Sequence, residues 1–197
     1  MKELKVFRHS KAPSIPGRPD SERILSPEGI NLAEDRRTSL GSFRPDLVIA
    51  SPFIRAVNTA IIVTGFPDKA IVRCPELIYD SDSEMGQTLD RMYEELGNVP
   101  LGRYWKHAES GALTRWANKA ETSLRKILSE HGNPENVAVF GHGILSNAML
   151  EAYLYHLRNH EYVIQDDFAG LIGKPLKECE GFDVAITGKM VSISLIE

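Results

Sequence analysis

The sequence predicts a three-layer α/β/α sandwich, in which helices cover both faces of a mostly parallel central β-sheet. Four short apolar runs rich in Val and Ile are bounded by Pro, Gly, Asn or Asp, as buried parallel strands are; they occupy residues 4–7, 46–50, 70–74 and 136–140. Stretches with helical spacing lie between them. The segment 182–196 alternates around Thr187-Gly188-Lys189, and this pattern predicts an antiparallel hairpin at the edge of the sheet.

The helices between these runs are predicted from capping residues and apolar spacing. Ser26 supplies an N-cap side chain and Pro27 takes the first helical position, so a helix begins there and runs to about Gly41. A second helix follows Ser51-Pro52. Apolar side chains at i+3 and i+4 spacing predict an amphipathic helix over 112–130. We interpret residues 75–115 as an inserted, partly helical region over the sheet.

Composition narrows the classes of function. With 197 residues, 42% hydrophobic and 25% charged, the chain is expected to form one domain over 1–197. A net charge of −4 provides no basic face for nucleic acid. Cys74 and Cys179 lack CxxC spacing, so neither disulfides nor a Cys-based zinc site is expected. No long uncharged apolar stretch predicts a membrane span, and we expect a cytoplasmic protein.

Charged and polar side chains follow three of the predicted strands. Arg8 and His9 follow the first strand, Arg55 lies near the start of the helix after the second, and His142 and Gly143 follow the fourth. The carboxyl ends of parallel strands border the same crevice of an open α/β sheet. We therefore expect these residues to converge at one edge of the sheet.

This set of residues predicts a phosphate site. Guanidinium groups match phosphoryl oxygens bidentately, and the N–H groups at the helix starts after Pro52 and Gly143 favour an anion at the same place. A neutral histidine among these charges can attack phosphorus, while the second histidine stabilises charge on the phosphoryl oxygens. Such a reaction requires no metal and no cofactor.

Four segments resemble the histidine phosphatase superfamily, the phosphoglycerate mutase-like group, in the same order along residues 4–65 and 136–150. They are FRHSKA, DSERILSPEG, PDLVIASPFIRAVNTA and VAVFGHG. The N-terminal part is most similar to bacterial phosphohistidine phosphatases. The resemblance implies a phosphoglycerate mutase-like fold in which His9 is the nucleophile, Arg8 and Arg55 hold phosphate, and His142 completes the pocket.

The sequence departs from this family at two places. Ser10 follows His9 where many members have glycine, so its hydroxyl is expected to bind phosphate together with Gly143. Many relatives carry a glutamate in a Leu-x-Glu context after the third strand, where this chain has Tyr79 or Asp80. We predict Asp80 as the general acid, and the alternatives are Asp82, Glu84 and Glu76.

The sequence thus predicts a phosphatase that forms a phosphohistidine on His9. Its partner is expected to be a phosphorylated small molecule or a phosphohistidine protein, covered by the 75–115 region. Two alternatives remain: a non-catalytic phosphate- or phosphoprotein-binding homologue that lacks the glutamate, and a phosphoglycerate mutase. His156 and His160 share the i, i+4 spacing of zinc ligands, but no HExxH glutamate or third ligand accompanies them, so a helical pair without metal is favoured.

Overall fold

The computed structural model describes residues 1–165 and 167–197. Within these residues, seven strands form one sheet: β1 (Glu3–Arg8), β2 (Leu47–Ala50), β3 (Val72–Arg73), β4 (Asn136–Gly141), β5 (Val163–Ile164), β6 (Gly181–Thr187) and β7 (Met190–Ile196). The same residues form seven α-helices: α1 (Pro27–Ser39), α2 (Ile54–Thr64), α3 (Glu84–Leu96), α4 (Leu101–Trp105), α5 (Ser110–Glu130), α6 (Gly143–Asn159) and α7 (Phe168–Ile172).

The sheet is mixed and has the order β3-β2-β4-β1-β6-β7-β5. Strands β3, β2, β4 and β1 are parallel neighbours, whereas β6 pairs antiparallel with both β1 and β7. Strand β5 pairs parallel with β7 at the far edge. The predicted α/β class and the predicted C-terminal hairpin are both confirmed.

Alternating side chains of the central strands build two apolar cores. Val6 of β1 and Val139 of β4 face the layer that contains α3 to α7. Phe7 and Phe140 face the opposite layer of α1 and α2, and their rings stack with centroids 5.0 Å apart. Within β1 the buried Lys5 is tolerated because it is paired with Glu3 and Asp183, whereas the polar groups at the end of the strand face the crevice.

Helix α1 begins as its sequence predicts. The side chain of Ser26 accepts a hydrogen bond from the Gly29 N–H, and Pro27 is the first helical residue. A Cβ at Gly29 would lie only 2.2 Å from the carbonyl oxygen of Lys11, so the absence of a side chain there lets α1 approach the segment that follows β1.

The differences from the predicted elements concern short or edge segments. Strand β3 has two residues rather than the predicted run 70–74, and β5 was not predicted. The 75–115 region contains α3, α4 and the beginning of α5. Among the residues described, no helix combines the length and apolar character needed to cross a membrane.

Candidate active site

The ends of three neighbouring strands bring the predicted histidines and arginines together. Arg8 of β1 is in register with Gly141 of β4, so His9 and His142 follow side by side, with ring centroids 5.1 Å apart. Arg55, in the first turn of α2, donates from Nε to His9 Nε2 at 3.0 Å. These four side chains line a cavity of about 360 Å³.

His9 is held as a neutral ring. Its Nδ1 lies 2.7 Å from the carbonyl oxygen of Ser10, which can only accept, so Nδ1 carries the proton. Its Nε2 then accepts from Arg55. Burial is the largest cause that lowers the pKa of His9, and the charges of Arg55 and Arg8 add to it, bringing the pKa to about 3. Near neutral pH Nε2 is therefore unprotonated, and its lone pair can act as a nucleophile once Arg55 releases it.

His142 is also neutral, with the opposite tautomer. Arg55 Nη2 lies 3.4 Å from Nδ1 and has only hydrogens to offer, so Nδ1 accepts and Nε2 carries the proton. Nε2 donates to Ser51 Oγ at 2.8 Å. Burial lowers the pKa of His142 well below its usual value, and the nearby His9 and Arg55 lower it further.

Arg8 contributes a free donor to the cavity. Its Nη1 donates to the carbonyl oxygen of Leu176 at 2.6 Å, and its Nη2 lies 3.3 Å from Glu178 Oε1. Its Nε is buried and has no partner among the residues that the structure describes. A buried N–H without a partner is costly, and an anion in the cavity would satisfy it.

Gly143 also lines the cavity, at the first position of α6, where a Cβ would lie 3.8 Å from Arg8 Nε. Ser10 does not line it. The Ser10 hydroxyl donates to the carbonyl oxygen of Gly29 at 2.7 Å and the residue is fully buried. Contrary to the sequence prediction, this hydroxyl anchors α1 against the segment after β1 and does not face a phosphate.

Asp80 does not reach the cavity either. Its side chain is exposed and accepts from the N–H of Asp82, in the turn that precedes α3. The alternative acids Asp82, Glu84 and Glu76 are also absent from the lining. The turn before α3 holds the carboxylates of Asp80 and Asp82 in solvent, and Glu76 is half-buried beside the Cys74 thiol, so the geometry gives the predicted acid no access to a leaving group.

Asp20, which the sequence analysis missed, does line the cavity. Its Oδ2 accepts from Arg55 Nη2 at 2.7 Å, and its Oδ1 accepts from Arg23 Nη1 at 2.7 Å. Burial raises the pKa of Asp20, but the hydrogen bonds from Arg23 and Arg55 outweigh burial and lower it. The sequence signals were its place at the start of the family-like segment DSERILSPEG and its position, with Glu22, between Arg18 and Arg23.

The remaining wall of the cavity comes largely from the 75–115 region. Tyr79 and Asp90 meet there, with the Tyr79 hydroxyl donating to Asp90 Oδ1 at 2.7 Å. The other lining residues from this region are Ile78, Leu89, Tyr93, Asn98, Tyr104 and Leu113. The cavity thus has a cationic floor at the strand ends and a mostly apolar wall above it.

The comparisons agree with this architecture. A family model described as the histidine phosphatase superfamily (branch 1) matches residues 7–169. A structure described as an alpha-ribazole-5'-P phosphatase from Escherichia coli is similar with a TM-score of 0.63 and 21% identity, covering 100% of this chain and 96% of that chain. Phosphoserine phosphatase from Entamoeba histolytica is similar with a TM-score of 0.62 and 18% identity, covering 100% of this chain and 98% of that chain.

The protein histidine phosphatase SixA, solved with tungstate, is similar with a TM-score of 0.58 and 14% identity, covering 99% of this chain and 96% of that chain. At these identities the structural likeness establishes the fold alone. No curated protein sequence matches the chain.

Proposed function

Because the chain belongs to the histidine phosphatase superfamily, we propose that it is a metal-independent phosphatase that hydrolyses phosphoesters or phosphohistidine through a phosphoryl group carried on His9. The family confirms the enzyme class that the sequence predicts. The proposed covalent step on His9 rests on one observation. The neutral His9 ring presents Nε2 to the guanidinium of Arg55, inside a cavity that Arg8 and Arg23 also line.

In the first step, the substrate phosphoryl group accepts hydrogen bonds from the Nε–H groups of Arg55 and Arg8. Arg55 turns its Nε–H from His9 to a phosphoryl oxygen, and Arg8 Nε–H binds another. The freed Nε2 lone pair attacks phosphorus, the bond to the leaving group breaks, and its electron pair stays with the leaving atom. The Nδ1–H bond to the Ser10 carbonyl stabilises the positive charge that the ring acquires.

His142 has a different role in this scheme. Its Nδ1 accepts from Arg55 in the free protein, and a bound phosphate dianion would raise its pKa by attraction. Protonated on Nδ1, the ring then donates to a phosphoryl oxygen while Nε2 keeps its bond to Ser51. Donors aimed at charge that develops on the phosphoryl oxygens are the main source of rate in such transfers.

The leaving group also needs a proton, and Asp20 is the carboxyl group best placed to supply one. An incoming phosphate takes Arg55 away from Asp20 and adds a negative charge beside it, and both changes raise the pKa of Asp20. Asp20 therefore takes up a proton from solvent as the substrate binds, and its carboxyl group gives this proton to the leaving oxygen in the first step. The resulting carboxylate takes a proton from the water that cleaves the N–P bond, which releases phosphate and neutral His9.

The test is to trap the phosphoryl group on His9. The purified protein is mixed with labelled p-nitrophenyl phosphate and quenched within milliseconds in alkaline denaturant, because the N–P bond is labile in acid. We expect label on His9 and a burst of p-nitrophenol, both abolished in His9→Ala. His131→Asn, which alters an exposed histidine at the end of α5, is the matched control.

Two outcomes would contradict the proposal. Turnover that survives in a folded His9→Ala variant would rule out the covalent intermediate. A wild-type protein that binds phosphate but forms no labelled His9 would be a phosphate-binding homologue without turnover.

A further inference from the structure

The wall of the cavity opposite the arginines has an unusual charge distribution. Within the residues that the structure describes, Asp90 is the single charged side chain on this wall, whereas its neighbours Leu89, Tyr104 and Leu113 are apolar or aromatic. The Tyr104 hydroxyl is already bound to the carbonyl oxygen of Gly97 at 2.7 Å, so this ring presents its carbon face to the cavity.

Asp90 is held as an acceptor. The Tyr79 hydroxyl donates to Asp90 Oδ1, and burial first, then the hydrogen bond to Asp90, raises the pKa of Tyr79, so that the phenol keeps its proton. No residue in the described part of the chain donates to Asp90 Oδ2. This carboxylate oxygen is consequently left to bind a donor that enters the cavity.

The cations of the cavity are all on the opposite side. Arg8 is bound to Leu176 and Glu178, and Arg23 and Arg55 share Asp20. A second anionic group on a substrate, such as a carboxylate or another phosphate, would therefore meet the Asp90 carboxylate on a wall whose other side chains, Asn98 included, carry no charge. Burying an anion there without a partner is unfavourable.

We propose that the leaving group of the substrate is apolar or aromatic, carries an ammonium or N–H donor that Asp90 binds, and has no second anionic group. This substrate class rests on the proposed function, because the phosphoryl group must be held by the arginines for the leaving group to face Asp90. Asp90 is then the residue that determines specificity, and its Oδ1 is held by the hydroxyl of Tyr79.

Three aryl phosphates of one shape test this inference. They are phenyl phosphates with a para 2-aminoethyl, ethyl or 2-carboxyethyl substituent, so the phenols leave with similar ease while the remote charge changes from positive to neutral to negative. We expect kcat/KM to fall in that order, with the ammonium compound about tenfold or more above the carboxylate, as a charge-assisted hydrogen bond predicts.

Two variants separate the effect of the Asp90 carboxylate from the electrostatic field of the protein as a whole. Asp90→Asn is expected to bring the ratio of the ammonium compound to the ethyl compound close to one. Glu94→Gln removes the same charge from an exposed position on α3 outside the cavity and is expected to leave that ratio unchanged. The same three compounds are also titrated by calorimetry into His9→Ala, so that the preference is measured without turnover.

The outcomes distinguish this inference from the proposed function. If all three compounds are hydrolysed through His9 with equal kcat/KM, or Asp90→Asn keeps the preference, the inference is overturned and the phosphatase proposal stands. If no compound is hydrolysed and calorimetry shows the ordered preference, the substrate class is supported and the phosphatase proposal fails. Equal affinities in calorimetry overturn the inference in either case.

Discussion

Replacing His9 or His142 with Asn should reduce the loss of stability that the protein undergoes between pH 7 and pH 5. Burial and nearby arginines hold the pKa of His9 at about 3 and that of His142 well below its usual value. In the unfolded chain both rings return to an ordinary pKa of 6.5. At pH 5 the unfolded state therefore binds more protons on these two rings than the native state does.

The sign and the magnitude follow from proton linkage. Because these native pKa values are lowered, acidification stabilises the unfolded state and the free energy of unfolding falls as pH drops below 6.5. Between pH 7 and pH 5 the His9 ring accounts for a loss of about 2 kcal/mol, and the lowered pKa of His142 adds a loss of the same sign. His9→Asn should therefore lose about 2 kcal/mol less than the wild type over this interval, and His142→Asn should also lose less than the wild type.

The assay is urea unfolding of the wild type and of each variant at both pH values. Buffers contain no phosphate or sulfate, since an anion bound in the cavity would stabilise the native state. His131→Asn serves as the control, because that histidine is exposed, and it should lose as much stability as the wild type. If His9→Asn and His142→Asn lose the same amount as the wild type, the two rings are not held neutral and the proposed nucleophile has the wrong protonation state.

Three further predictions concern the site and its support. Arg55→Lys should lower kcat/KM by about 100-fold or more, because an ammonium group cannot reproduce the two parallel N–H donors of the guanidinium. Steady-state kinetics measure this, and a variant with the kcat/KM of the wild type would refute the prediction. Asp20→Asn should lower kcat/KM for alkyl phosphates by about 100-fold while sparing kcat/KM for p-nitrophenyl phosphate, because this ratio reports the first step and p-nitrophenol leaves without a proton. Asp80→Asn should keep wild-type values for both substrates, and the reverse result would restore Asp80 as the acid. Gly29→Ala should lower the free energy of unfolding by about 1–3 kcal/mol, because the new Cβ would lie 2.2 Å from the Lys11 carbonyl oxygen. Urea unfolding measures this change, and an unchanged urea midpoint would show that α1 can move away from Lys11.

The convergence of Arg8, His9, Arg55 and His142 could be predicted from sequence. Each residue follows a strongly apolar run, and parallel strands must present their carboxyl ends at one edge of the sheet. The structure brings these four side chains into one cavity. Which of them bond to one another could not be predicted, because that depends on the rotamer of Arg55 and on the register of β1 with β4.

The acidic residues that line the cavity could not be predicted from the sequence. Asp80 was selected because it follows the third strand, yet the turn before α3 directs its carboxylate to solvent. Asp20 begins a single 3₁₀-helical turn, Asp20–Glu22, whose sequence has no apolar periodicity, and its bonds to Arg23 and Arg55 reveal its position. Asp90 is one of several charged residues on an amphipathic helix, and its contact with Tyr79 depends on how α3 packs.

The sequence by itself determined the α/β class, the parallel core strands, the C-terminal hairpin and the cationic strand ends, because local apolar patterning and capping specify these features one segment at a time. Only the tertiary structure decided the tautomers of His9 and His142, the burial of the Ser10 hydroxyl under α1, and the entry of Asp20 and Asp90 into the cavity. These features depend on contacts between residues that are far apart in the chain. A shift of a helix by one turn would bring different side chains into each of these contacts.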